Sequence, residues 1–485
     1  MDNFLSTRKR AGLSVGGSRP RDIQHNIMDS QRRMRSNVVS VGTHPGDDIS
    51  PELDRLIKQR GRDLRVRKVD QQNAVKIVNH LIESLLEFLK NNEDQPFFRE
   101  VSVLTSGSYY EMVKINKPNE FDIMLKLKVP RLEMSELEEY QGLFYNLKLL
   151  KGTREEIKHF LLEDERTVSA TKIKAEMHRL VRKFISTHFK GQGWVICRKQ
   201  LNSPAVTLEF NNKEKEDEIM SVDIVPTLEV PQGWPQAARA GPNINNWLGK
   251  KCRRQFVSKA VYFVPKRPKG RNLKDDAKES WRISFSHIEK EMMQYHGHNK
   301  TCCESFSNKC CRKRCLQLLK CLIEGLKQRY PKELEPLCSY HGKTAFLHVL
   351  SDRVQDSLWS PAQLSVSFMK LFGYFERRAL DGSLPHFFIR QHNLFSPPAF
   401  PKRALAFLTN VLKEQRELGL PVLKVPSPSA ALVPDTDALI HPNPVNGTDS
   451  IVAYECSFRY VYIYIGLVVV IVCVGIGCAF KKKIL

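Results

Sequence analysis

The chain has 485 residues, 41% hydrophobic and 27% charged, enough apolar material for two or three domains and too much for a chain disordered throughout. Lys and Arg number 76 against 53 Asp and Glu, a net charge of +23, which argues for a polyanionic partner or surface. Twelve cysteines would suit a secreted disulfide scaffold, but six fall between Cys302 and Cys321 and the Met1-Asp2-Asn3-Phe4 start lacks a signal-peptide apolar core, so a reducing compartment and a metal cluster are expected.

Residues 1–51 carry scattered Arg, Gly and Ser without apolar periodicity and read as a disordered, mildly basic arm. Val75, Val78, Leu81 or Ile82, Leu85 and Leu89 recur at helical spacing, which predicts a long amphipathic helix over about 65–90. Residues 101–104 predict a strand that runs into the turn Ser106-Gly107-Ser108, and the alternation over 121–129 predicts a second, stopped by Pro130. Residues 205–210 and 219–225 read as the strands of a hairpin joined by the polar stretch 211–218. Past Trp234 the chain reads as mostly helical: Trp281, Phe285, Ile288 and Met292 form one stripe, and Leu318 or Leu319, Leu322 and Leu326 another. Residues 250–330 hold 21 Lys and Arg against 7 Asp and Glu, more than half of the excess charge. Five prolines between Pro426 and Pro444 mark a linker over 426–459. Residues 460–480 are then 21 uncharged, mainly apolar positions closed by Lys481-Lys482-Lys483, and predict a membrane-spanning helix about 30 Å long.

Glu120 and Asp122 stand two apart at the head of a strand, so both side chains leave one face while Phe121 and Ile123 enter the core on the other. Asp223, between the apolar Val222 and Ile224, supplies a third acid on a hairpin strand. Adjacent carboxylates repel unless a cation lies between them. Three converging on one spot suit two Mg²⁺ (or Mn²⁺) ions that bind a nucleotide triphosphate and activate an attacking hydroxyl. The Gly107-Ser108 turn supplies backbone amides and a hydroxyl for phosphates. The order helix, strand, Gly-Ser turn, acid-x-acid strand and later single acid resembles the DNA polymerase β-like nucleotidyltransferases.

His296, Cys302, Cys303 and Cys310 are four ligands suited to one structural Zn²⁺, with Cys311 or Cys315 as alternatives for the fourth and His298 for the first. Lys290, Lys300, Lys309, Arg312, Lys313 and Arg314 surround them. A zinc-stiffened basic loop is a device for gripping duplex phosphates without reading bases.

The runs Gly107-Ser108-Tyr109-Tyr110-Glu111, Pro118-Asn119-Glu120-Phe121-Asp122, residues 203–208, Ser221-Val222-Asp223-Ile224, residues 281–291 and the loop 296–311 together resemble the Mab-21 family, and within it the zinc-loop branch of vertebrate DNA sensors. The resemblance covers about residues 60–420. It implies an α+β fold: a nucleotidyltransferase lobe with a mixed sheet over 52–235, and a helical C-terminal lobe over 236–425 carrying the zinc loop. It also implies Mg²⁺ ligation by Glu120, Asp122 and Asp223, with Asp223 assisting deprotonation of the acceptor hydroxyl, and phosphate binding at Gly107 and Ser108. Zinc ligation is implied for His296, Cys302, Cys303 and Cys310. Nucleotide contacts are implied for Arg282, Ser284, Ser286, Lys320, Ser339, Tyr340 and Lys343. The implied reaction joins ATP and GTP into a cyclic dinucleotide with one 2′-5′ and one 3′-5′ bond, in innate immune defence. Double-stranded DNA is the implied activator, held by Lys290, Lys300, Arg312 and Lys313 in a dimer. The long helix near residue 65 and the loop after Asn211 are expected between the DNA face and the active site, where a bound duplex would shift the Gly107-Ser108 turn toward a phosphate-competent state. The enzyme is expected in the cytosol or nucleus, with the 460–480 segment as a tail anchor. A double-stranded RNA sensor of the same fold and a non-catalytic, membrane-tethered scaffold are the competing expectations.

Overall fold

The computed structural model describes residues 49–65, 68–105, 107–115, 119–150, 155–200, 202–211, 219–270, 272–298, 302–303, 309–397 and 399–424. The chain divides into two units, residues 1–425 and 426–485, and the described residues all lie in the first. Most of the expected basic arm, the Pro-rich linker and the apolar segment 460–480 lie outside the described residues. Among those described, no helix is long and apolar enough to cross a membrane.

Among the described residues nine strands form one mixed sheet: β1 (Ser102–Thr105), β2 (Glu120–Lys128), β3 (Leu132–Glu136), β4 (Phe144–Leu149), β5 (Trp194–Ile196), β6 (Val206–Asn211), β7 (Ile219–Val230), β8 (Val261–Val264) and β9 (Trp281–Ser284), with the path β1-β2-β7-β8-β9-β4-β3 and with β5 and β6 off it. The expected hairpin is present: β6 pairs with the first half of β7 antiparallel, β5 continues on β6, and the last residues of β7 pair with β8. Along its other edge β7 runs parallel to β2. Phe121, Ile123, Leu125 and Leu127 of β2 enter the main core, so the alternation read from the sequence sets which face the acids take. On that second face Met124, Val225, Val264 and Ala205 make a small apolar cluster.

Helices α1 (Pro51–Asp63) and α2 (Lys68–Lys90) precede the sheet, and the one-turn α3 (Gly107–Tyr110) follows β1. Ser50 caps α1 by accepting from Leu53 N, with Pro51 at its first position, so the chain is helical from the end of the expected arm. Leu81, Leu85 and Leu89 of α2 are fully buried, as the stripe requires. Helix α4 (Ala170–His188), capped by Ser169, buries Ile173, Met177, Leu180, Val181 and Phe184 in the same core.

Helices α5 (Ser286–Gln294), α6 (Arg312–Arg329), α7 (Ser339–Asp352), α8 (Leu364–Leu380) and α9 (Lys402–Glu417) follow the last strand. Leu316, Leu318, Leu319, Leu322, Ile323 and Leu326 of α6 are all buried, because α7, α8 and α1 surround it. The expected stripe through Trp281 is corrected. Trp281 lies on β9, between β8 and β4, and its Nε1 donates to Val168 O at 2.8 Å; the helix begins only at Ser286. A strand that hands over directly to a helix buried Trp281, Phe285 and Ile288 at spacings that imitate one helix. The sheet therefore takes β8 and β9 from a stretch that reads as helical.

Candidate active site

Asp122 of β2 lies opposite Asp223 of β7 in the parallel register, and Glu120 opposite Ser221. Adjacent strands are about 4.8 Å apart, so the two aspartates share one patch of the sheet face. Asp122 is exposed at the strand face, yet the walls around its carboxyl partly desolvate it and raise it above its ordinary range, and the charges of Asp223 and Glu120 raise it further. Burial also raises Asp223, with Glu120 adding to it, while a 2.6 Å hydrogen bond donated by Thr207 Oγ1 pulls the other way. Glu120, at the exposed strand head, pairs with Lys114 at 2.7 Å. An all-oxygen donor set with two carboxylates facing each other across adjacent strands fits Mg²⁺ or Mn²⁺, which would be held on Glu120, Asp122 and Asp223.

Gly107 opens α3 with φ +82°, and a Cβ there would sit 2.3 Å from Asp122 Oδ2. Only glycine lets the turn close onto the acid. Ser108 is the next residue of that turn.

In front of the acids lies a cavity of about 460 Å³, floored by Met124, Val225 and Val264 and walled by Gly107, Asp122, Arg282, Ser284, Ser286, Tyr340 and Lys343 among others. Seven of the expected metal-binding and nucleotide residues thus meet around one space. Glu120, Asp223, Lys320 and Ser339 are not among its lining. Lys320 is buried, and its Nζ donates to Val113 O at 3.2 Å while Gln317 donates to Lys114 O at 3.0 Å, so α6 secures the backbone that follows α3. Lys343 Nζ bridges Glu111 Oε1 at 2.7 Å and Glu289 Oε2 at 2.6 Å. Burial works against its charge, and the two carboxylates override it and hold the ammonium well above its ordinary value. Glu111, Glu289 and His386 also line the cavity and were given no role from the sequence. Glu111 and Glu289 lie inside the motif runs that carried the resemblance, whereas nothing in the sequence marks His386.

His296, Cys302, Cys303 and Cys310 place their ligand atoms within 4.8 Å of one another. The Cys302 and Cys303 sulfurs are 3.9 Å apart, and Cys310 Sγ is 3.2 Å from His296 Nε2. Tetrahedral Zn²⁺ with bonds of about 2.3 Å sets sulfurs about 3.8 Å apart. His296 Nδ1 donates to Met293 O at 2.8 Å, which leaves Nε2 as the ligand atom. The set fits zinc. The alternatives are engaged elsewhere: His298 Nδ1 faces Trp247 O, while Cys311 and Cys315 are buried with the core.

Of the expected duplex contacts, Lys290 extends over the Tyr110 ring at 5.4 Å and Lys313 is half-buried. Lys300 lies outside the described residues. Arg312 is corrected: fully buried, it pairs with Asp356 at 2.7 Å, lies 5.2 Å over the Trp359 ring and donates to Cys302 Sγ at 3.5 Å. It braces the zinc loop from beneath, because the start of α6 turns it into the protein. Lys309, two positions before α6's cap, is exposed.

The family model described as the Mab-21 protein nucleotidyltransferase domain matches residues 109–295, and that of the Mab-21 protein HhH/H2TH-like domain matches 311–414. Cyclic GMP-AMP synthase of Mus musculus is 39% identical over 372 residues, covering 76% of this chain and 71% of that protein. The Sus scrofa cyclic GMP-AMP synthase is 38% identical over 364 residues, 74% of this chain and 70% of that protein. A cyclic GMP-AMP synthase-like receptor of Magallana gigas is 26% identical over 356 residues, 71% of this chain and 56% of that protein.

Proposed function

The chain belongs to the Mab-21 family of nucleotidyltransferases, and on that premise we propose that it joins ATP and GTP into 2′,3′-cGAMP when it binds double-stranded DNA. The observation that carries the reading is the matched register of Asp122 and Asp223 at a cavity closed by the Gly107 turn. Mg²⁺ at the acids supplies activation of the acceptor hydroxyl and stabilisation of the leaving pyrophosphate.

The remaining work falls to the chain's own groups. Amides of the Gly107-Ser108 turn cradle phosphate oxygens, Lys343 offsets phosphate charge while Lys320 secures the backbone behind the turn, Tyr340 stacks on a base, and Arg282 forks onto a purine edge with Ser284 and Ser286 beside it. Asp223, half-buried and held by Thr207, is oriented to take the hydroxyl proton. The zinc loop, with Lys290, Lys300 and Lys313 around it, grips the duplex backbone. In this reading lobes 52–235 and 236–425 act in the cytosol as a dimer on the duplex, with the apolar segment 460–480 as a membrane tether.

The test incubates the purified chain with ATP, GTP and Mg²⁺, with and without duplex DNA or duplex RNA, and identifies products by mass and linkage. Product with DNA supports the reading. Product with RNA alone moves the activator, and no product with either removes the activity. Glu120→Gln with Asp122→Asn should abolish synthesis while duplex binding persists.

A further inference from the structure

His386 Nδ1 faces the backbone N–H groups of Phe388 and Ile389, each at 3.2 Å. Both are donors, so Nδ1 accepts and the ring proton sits on Nε2. Burial depresses the imidazole to about 3, which keeps the ring neutral. Phe285, stacked on Phe388 with ring centroids 4.4 Å apart, packs against His386 at 5.9 Å.

With the tautomer assigned, a continuous line of hydrogen bonds crosses the cavity wall. His386 Nε2–H donates to Tyr340 Oη at 2.9 Å, and the Tyr340 hydroxyl donates to Glu289 Oε1 at 3.0 Å. The other Glu289 oxygen accepts from Lys343 Nζ at 2.6 Å, which also donates to Glu111 Oε1 at 2.7 Å. Glu111 N donates in turn to Gly107 O at 3.1 Å. Each proton has one direction, and the Lys343 ammonium, which has three N–H groups, is the one donor on the line that serves two acceptors. Glu111 and Glu289 are 2% and 4% exposed. A buried triad of two carboxylates and an ammonium adds little net stability after desolvation, so geometry is what it contributes.

We propose that this line is a mechanical relay that fixes the Tyr340 ring and the Gly107 turn relative to each other, with His386 and Glu111 as positioning residues at its two ends. The inference rests on the nucleotide-binding reading of the cavity. A base stacked on Tyr340 and a phosphate at the Gly107 turn would then be held in one spacing, set by residues on α3, α5, α7 and the loop after α8.

The experiment is a double-mutant cycle on the full chain, with Mg²⁺ and ATP, read as the ATP dissociation constant. His386→Ala, Glu111→Gln and their combination are compared, and the cycle is repeated in Tyr340→Phe. Residues without a shared partner combine multiplicatively to within about twofold. The relay requires each single change to shift ATP affinity about fivefold or more, and the double change to depart from their product by at least about fivefold. In Tyr340→Phe, where the middle link is gone, the effects should multiply. Singles without effect, or a product within about twofold in the native background, overturn the relay. Zinc content and melting temperature report folding of every variant. Where His386→Ala does not fold, His386→Leu takes its place, since it fills much of the ring's volume and has no N–H to donate, under the same criterion. Wild-type protein that binds no ATP would instead defeat the nucleotide reading itself.

Discussion

Asp122 carries a carboxyl group that is exposed but partly desolvated, and its proton affinity is raised by that desolvation and by two neighbouring carboxylates, which sets the sign of a stability effect. A carboxyl with a folded-state pKa above its unfolded value of 3.8 destabilises the fold as pH rises through the two values, and does nothing below both. Asp122→Asn should therefore raise stability modestly at pH 7, where solvent screens an exposed carboxylate, and leave it unchanged near pH 3, as thermal melts at the two pH values will show. The same sign governs activity: protons compete with Mg²⁺, so the acid limb of the rate should move to lower pH as Mg²⁺ is increased. Arg312 illustrates the opposite burden. Because it is buried on Asp356 and Trp359, Arg312→Ala should cost about 3 kcal/mol in denaturant unfolding and leave the salt slope of duplex binding as it was. Its neighbourhood of Lys300, Lys309, Lys313 and Arg314 reads as surface charge, and nothing in the residue order distinguishes the one that turns inward.

At the scale of elements, α2, α6, β2, β6 and β7 are legible because a single buried face repeats with a period the sequence displays. Strands β3, β4 and β8 are not, and β9 is mistaken for helix, because a strand of four to six residues buried on one or both faces has too few positions to define a period. The zinc loop is legible for another reason: its ligands are chemically rare and crowded in sequence, whereas its brace, Arg312 with Asp356, is assembled across 44 positions. Cys310→Ser or chelation should remove one zinc per chain by elemental analysis and reduce duplex affinity about tenfold or more, since a loop ordered by its metal loses its shape without it. Duplex affinity that survives zinc removal would take the loop out of the DNA interface.

For the whole molecule, the +23 charge predicts that duplex affinity falls by about 10³-fold or more between 50 and 200 mM salt, with little dependence on sequence, if six or more phosphates are engaged. A competition assay across salt and sequence measures both, and a shallow slope or strong sequence preference would contradict backbone recognition. The sequence by itself determined the class of chemistry: the acid-x-acid strand, the Gly-Ser turn, the third acid and the Cys-His cluster are local signals, each readable within fifteen residues. What only the tertiary structure decided is how those signals meet. The parallel pairing that sets Asp122 against Asp223 joins positions 101 apart, and the line from His386 through Tyr340, Glu289 and Lys343 to Glu111 joins four separate elements. Such contacts leave no periodicity, because a residue buried by a partner far along the chain carries no mark of that partner in its own neighbourhood.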